Sequence, residues 1–268
     1  MHNLGYRTDC IFHRHDGVVE ERDDYWVIRT PSNPTYWFGN LLLFRNAPRS
    51  GDEARWLERH AAEFGDSLNH ITIAWDEEIP GESDGFIAQG FRLESSAALS
   101  LAHTDYADSS PPPVNPALTV RPVTDDHGWR EVVRVQTLCD DEDPHFDADG
   151  GAFRTRQALA AHRMIENGRG TWWGAYDRDT LLGSLGLFFD ETGELGRFQY
   201  VTTDPAHRRR KACSTLLDHA IRHAFTTVGA KTLVICTEGV ASNPAMALYQ
   251  RFGFRPAGQS YAVTRLIG

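Results

Sequence analysis

The sequence is poor in lysine, has no closely spaced cysteines and lacks any long apolar stretch. Lys211 and Lys231 are its only lysines, a coding bias to which we attach no function. No apolar run approaches the roughly 20 residues of a membrane-spanning helix, so no membrane is expected among its partners. The first 17 residues are interrupted by His2, Arg7, Asp9, His13, Arg14, His15 and Asp16 and so lack the apolar centre of a signal peptide. A cytoplasmic location is therefore expected. Cys10, Cys139, Cys213 and Cys236 lie far apart with no C-x-x-C, which argues against a zinc knuckle or a disulfide framework and for four reduced thiols. Basic excess is also missing. A net charge of −10 and a pI near 5.6 argue against a nucleic-acid partner, whose footprint is basic.

What is present suits a soluble globular chain: 268 residues, 41% hydrophobic and 24% charged, enough for two cores. The clearest punctuation is Asp108-Ser-Ser-Pro-Pro-Pro-Val-Asn-Pro116, whose prolines exclude a helix interior or a central strand. It is read as a linker over 108–116, between an N-terminal α/β domain (1–107) and a second domain (117–268). In the second domain the spacing predicts strands at 118–123, 171–176, 181–189, 195–203, 232–236, 254–258 and 261–266. Helices are expected at 129–139, 153–167, 210–228 and from 243 onward. This order implies an α/β fold around a mixed sheet. The N-terminal half gives strands at 25–29, 36–44, 70–75 and 91–101 and a helix at 52–64. A strand there ends in a loop at Pro48-Arg-Ser-Gly51, as another does at Pro205-Ala-His-Arg208, which suggests a degenerate tandem repeat.

The chemistry concentrates in Val201-Thr-Thr-Asp-Pro205-Ala-His-Arg208-Arg-Arg-Lys-Ala-Cys213-Ser214, where a strand ends and a helix begins among four consecutive cations. A helix start presents unpaired N–H groups and the positive end of the helix dipole. Cations there oppose the dipole unless an anion neutralises them, and a phosphate bound by the amides resolves the conflict. A solvated arginine cluster is the plainer alternative. The second element is Asn243-Pro-Ala-Met-Ala-Leu-Tyr249-Gln-Arg-Phe-Gly253-Phe254, a capped helix closed by glycine.

In this order, one strand apart, the two segments resemble the GNAT acetyltransferase superfamily, over Leu118 to the end of the chain. Arg208 fits the opening arginine of the family's R-x-x-G-x-G/A loop. Asn243, Tyr249, Gly253 and Phe254 fit its N-x-x-A-x-x-x-Y-x-x-x-G-F segment or a close variant. Lys211 and Cys213 replace the two loop glycines, which weakens the motif. Lys211 is expected in a helical conformation that still offers its N–H. The resemblance implies a GNAT-like mixed, mostly antiparallel sheet flanked by helices, with acetyl-CoA as acyl-donor cosubstrate.

It further implies that Val201 and Thr203 pair with the pantetheine arm, and that Arg209, Arg210, Lys211, Ala212, Cys213 and Ser214 hold the diphosphate beside Arg208. Asn243 would help place the pantetheine, Tyr249 would protonate the leaving thiolate, and the Val201 N–H would stabilise the oxyanion. For the general base, the strand before the loop offers only Arg197 and Gln199, with Glu194 at its far end. Glu238 is the next candidate, with a water chain as the alternative. Asp140-Asp-Glu-Asp143 could attract a cationic amine or be a solvated loop. The acceptor class is a small amine or peptide, and a homodimer is left open. Two rivals stand beside this reading: an acetyl-CoA sensor without turnover, and a tandem transferase using another acyl or aminoacyl donor. His219 and His223, four apart, lack the glutamate of a zinc motif and are expected on a solvated face. Asp147-Ala-Asp149-Gly150 fails as a calcium loop, because its first and twelfth positions would be His145 and Arg156.

Overall fold

A computed structural model of the chain describes residues 1–107, 109–140, 151–238 and 243–267. The acidic Asp141–Asp143 and the segment around Asp147 and Asp149 lie outside the described residues. Internal contacts divide the chain into two units: Met1–Leu99 with Cys236–Asn243 and Pro256–Gly268, and Ser100–Ile235 with Pro244–Arg255. The division thus falls at Leu99/Ser100, not at the prolines, and the chain's last strand groups with the first unit.

The elements begin with α1 (Leu4–Asp16), β1 (Val18–Glu21), β2 (Tyr25–Arg29), β3 (Leu41–Phe44), α2 (Asp52–Phe64) and β4 (His70–Trp75). Next come α3 (Asp84–Ile87), β5 (Arg92–Ala102), α4 (His103–Ala107), β6 (Thr119–Pro122), α5 (Asp126–Asp140) and α6 (Ala152–Glu166). The chain continues with β7 (Gly170–Asp177), β8 (Thr180–Phe189), β9 (Leu195–Thr203) and α7 (Ala212–His223). It closes with β10 (Thr232–Glu238), α8 (Pro244–Arg251) and β11 (Arg255–Leu266).

In the first unit β1, β2 and β3 are antiparallel and β3 runs parallel to β4. β4 then pairs antiparallel with β11, from Tyr261↔Trp75 to Leu266↔His70. A parallel pair needs a crossover, and α2 supplies it. Side chains alternate across the sheet. Tyr25, Val27, Leu42, Phe44, Ile73, Trp75 and Val263 pack with Trp56 and Phe64 of α2. Their neighbours Trp26, Ile28, Leu41, Leu43, Ala74 and Ala262 pack with Tyr6 of α1. The Trp56 ring stacks on Phe44 with centroids 3.9 Å apart. Truncating such a residue to alanine costs about 3–5 kcal/mol.

The second unit repeats the plan. β6, β7, β8 and β9 are antiparallel, and β9 pairs parallel with β10 after the crossover helix α7. Trp172 meets Trp129 of α5, while its neighbour Trp173 meets His219 and His223 of α7 edge-on at 4.5 and 5.2 Å, so helices cover both faces. Those two histidines are half-buried against an indole and do not form a solvated face.

Four local expectations change. α1 and β1 are not among the expected elements, a 3-10 turn at Trp37–Gly39 replaces the start of the strand expected at 36–44, and Arg255–Leu266 forms one strand where two were expected at 254–258 and 261–266. The helix expected over 210–228 is α only from Ala212 to His223 and ends in a π turn, Ala224–Val228.

Candidate active site

Strand β9 delivers the chain to the cationic loop. Asp204, 5% exposed at its side chain, anchors the turn: its carboxylate accepts the Ala206 N–H at 2.9 Å and Arg134 Nη2 at 3.2 Å. Burial opposes ionisation of Asp204, but the Ala206 amide and Arg134 outweigh it and hold the carboxyl below its usual range. Arg209 and Lys211 then adopt left-handed backbone, with φ of 64° and 63°. Lys211 is therefore not helical but sits as the N-cap of α7, at the position where the family pattern has glycine. Such a conformation costs a non-glycine residue about 1–2 kcal/mol, which explains why glycine is favoured there.

The first backbone hydrogen bond of α7 runs from Thr215 N to Lys211 O at 3.0 Å. The amides of Ala212, Cys213 and Ser214 precede that ladder, and among the described residues no side chain caps the helix. No acidic residue lies in the first turn. The side chain of Arg210 is engaged by Asp177, whose carboxyl it holds below the usual range, so Arg210 flanks the loop as one half of an ion pair.

The strand itself is irregular, with no local signal in its residues. Ser184 pairs with Thr202 and Gly186 with Gln199, which places Tyr200 and Val201 together opposite Leu185 as a β-bulge. Tyr200 has φ of 44°. Its hydroxyl accepts from Gln157 Nε2, and the Arg154 guanidinium lies 4.3 Å from its ring centroid. Arg154 also forks onto both oxygens of Asp140. Asp140 is consequently neutralised inside the fold rather than offered to an amine. On the other edge, β9 pairs with β10 only from Thr232↔Leu195 to Val234↔Arg197. Past that register, Gln199, Val201 and Thr203 lie on an edge that β10 does not pair among the described residues.

Helix α8 carries Tyr249 to the start of α7. Tyr249 is 5% exposed, its ring centroid lies 6.2 Å from that of Phe254, and its carbonyl accepts the Phe252 N–H at 2.9 Å. Gly253 closes the helix at φ of 94°. Burial, aided by the neighbouring Cys213, raises the Tyr249 phenol well above its usual pKa. Burial also pushes the Cys213 thiol up to about 12, the opposite of the activation a helix start gives an exposed thiol.

The structure therefore brings Val201, Thr203, Arg208–Ser214 and Tyr249 into one unit. Glu238 and Asn243 group with the other. Asn243 Nδ2 donates to Thr237 Oγ1 at 2.7 Å and to the Glu238 carbonyl at 3.4 Å, and Glu238 is exposed at the end of β10.

The corresponding loop of the first unit, before α2, is built differently. Its amides are already occupied: Ala47 N by Glu77 at 2.7 Å, Arg49 N by Asp52 at 2.9 Å, Ser50 N by Glu82 at 2.9 Å and Gly51 N by Glu53 at 3.0 Å. Four carboxylates fill what the cationic loop leaves open to an anion. An acyl-CoA diphosphate fits the residues before α7 and does not fit those before α2.

Residues 134–254 match the profile of the Acetyltransferase (GNAT) family. No curated protein sequence matches significantly. Among solved structures, a functionally unknown conserved protein from Staphylococcus epidermidis aligns over 94% of this chain and 95% of its own, with a TM-score of 0.70 and 13% identity. A GCN5-related N-acetyltransferase from Kribbella flavida aligns over 98% and 96%, with a TM-score of 0.63 and 12% identity. A tandem GNAT protein from the clavulanic acid biosynthesis pathway aligns over 91% and 83%, with a TM-score of 0.58 and 16% identity. At these identities the structures speak for the fold, and the profile for the family. The profile identifies residues 134–254 as a domain of the Acetyltransferase (GNAT) family, and the solved structures share the fold of the chain as a whole.

Proposed function

We propose that the second unit transfers an acetyl group from acetyl-CoA to the primary amine of a small molecule or peptide by direct attack. The observation that carries this reading is the conjunction of uncapped amides at Ala212–Ser214, the surrounding cations and the buried phenol of Tyr249 in one unit. Acetyl-CoA would supply the activated thioester. The amides and cations of residues 208–214 hold its diphosphate, and the edge of β9 at Val201 and Thr203 takes the pantetheine amides as an added strand. The Val201 N–H is assigned to the oxyanion, and Asn243 to the pantetheine arm.

The amine nitrogen bonds to the carbonyl carbon, the C–S bond breaks, and the Tyr249 hydroxyl gives its proton to the departing sulfur. A phenol is protonated at neutral pH, as an acid must be. The amine's lost proton passes to Glu238 or to solvent; wild-type turnover in Glu238→Gln assigns it to solvent. Thiol release across a panel of amines tests the activity. Tyr249→Phe should lower turnover by about 10²-fold or more with acetyl-CoA affinity unchanged. Unchanged turnover removes Tyr249 from the acid role, and binding with no thiol release on any amine favours a sensor.

A further inference from the structure

The segment over 109–116 carries no helix or strand and falls within the second unit. Asn115 docks it on the cationic loop. The Asn115 N–H donates to Thr215 Oγ1 at 2.9 Å, and Asn115 Nδ2 donates to the Arg210 carbonyl at 3.0 Å. Thr215 Oγ1 in turn donates to the Lys211 carbonyl at 2.8 Å. Asn115 is itself fixed, since its Oδ1 accepts the Ala117 N–H at 3.0 Å and its carbonyl accepts the Leu118 N–H at 3.2 Å.

In a trans peptide the C=O of one residue and the N–H of the next point in opposite directions. Drawing the Arg210 carbonyl toward Asn115 therefore turns the Lys211 N–H away from it. Holding the Lys211 carbonyl on Thr215 does the same for the Ala212 N–H. The turn being held contains Lys211 at φ of 63°, a conformation that glycine adopts without help and lysine does not.

We propose that Asn115 is a positioning residue for the diphosphate-binding loop, clamping by hydrogen bonds the left-handed turn that glycine would supply at position 211. This rests on the acyl-CoA reading of that loop. The clamp accounts for a functional loop in which the first glycine of the family pattern is absent.

The test is a double-mutant cycle on the full chain, read by calorimetric titration of coenzyme A, thermal melting and steady-state kinetics. Asn115→Ala should weaken coenzyme A binding by about tenfold, the loss of one charge-free hydrogen-bond pair, and raise KM for acetyl-CoA while leaving kcat near the wild-type value. In a Lys211→Gly background, which gives up one cation of the loop, Asn115→Ala should change the affinity little, because the clamp becomes redundant. A purely structural asparagine would lower the melting temperature without that selective, glycine-sensitive change in affinity. Wild-type protein that fails to bind coenzyme A overturns the acyl-CoA reading and the clamp with it. Wild-type binding with an equal affinity in Asn115→Ala, or an Asn115→Ala loss that is as large in the Lys211→Gly background as in the wild type, overturns the clamp alone.

Discussion

Cys213 and Tyr249, neighbours at the start of α7, owe their chemistry first to burial. A cysteine at a helix start is ordinarily a reactive thiolate, but here burial pushes the thiol up to about 12 and dominates over the dipole. The half-buried side chain is thus expected to act as a small filler at the start of α7, not as a nucleophile or redox centre. In the native protein at pH 8, iodoacetamide should leave Cys213 unlabelled over the time in which the denatured chain labels fully; rapid native labelling, mapped by mass spectrometry, would contradict this. Arg208 and Tyr249 stand out as candidates in the sequence, Arg208 by its place in the loop pattern and Tyr249 by its spacing to Asn243, Gly253 and Phe254. The left-handed backbone of Lys211 was not, since a lysine gives no local signal for positive φ and the hydrogen bonds that hold it come from Asn115, 95 residues away from Arg210.

Elements that bury a clear apolar stripe were readable, and α7 with Leu216, Leu217, Ala220 and Ile221 is the plainest case. Helix α1 was hidden because the residues it buries are Gly5, Tyr6, Thr8, Cys10 and His13, with no aliphatic stripe among them. The pairing of β11 with β4 was invisible because it joins residues far apart in sequence, and the bulge at Tyr200 because a one-residue offset between neighbouring strands leaves no mark in the apolar pattern.

Helix α2 and strand β4 also store a pH response. His60 and His70 are buried and held neutral, each lowered to about 4 chiefly by desolvation, with His60 further lowered by His70. His60 Nε2 has no hydrogen-bond partner among the described residues. The unfolded chain takes up protons near 6.5 while the folded chain does so only near 4. Stability is therefore complete above about 6.5 and falls as pH drops through that window, by up to about 3 kcal/mol per histidine. Melting temperatures measured from pH 7.5 to 4.5 should show this loss, and His60→Leu should flatten part of it. An unchanged slope in that variant would place the acid sensitivity elsewhere.

At the scale of the molecule, two units built on the same strand–loop–helix–parallel-strand plan treat an anion in opposite ways. Before α2 the loop amides are taken by Glu77, Asp52, Glu82 and Glu53. Before α7 they are uncapped and ringed by Arg208–Lys211. On the proposed function, the loop before α7 is the one that would take an acyl-CoA, and the loop before α2 is not. Because the site in the second unit is electrostatic, its affinity should fall as salt rises. Calorimetric titration of coenzyme A into the full chain, repeated with Arg208→Glu/Arg210→Glu, tests this most directly. The account predicts one molecule bound per chain, weakening with ionic strength and lost in the double variant. Two sites, none, or binding indifferent to the charge reversal would contradict it.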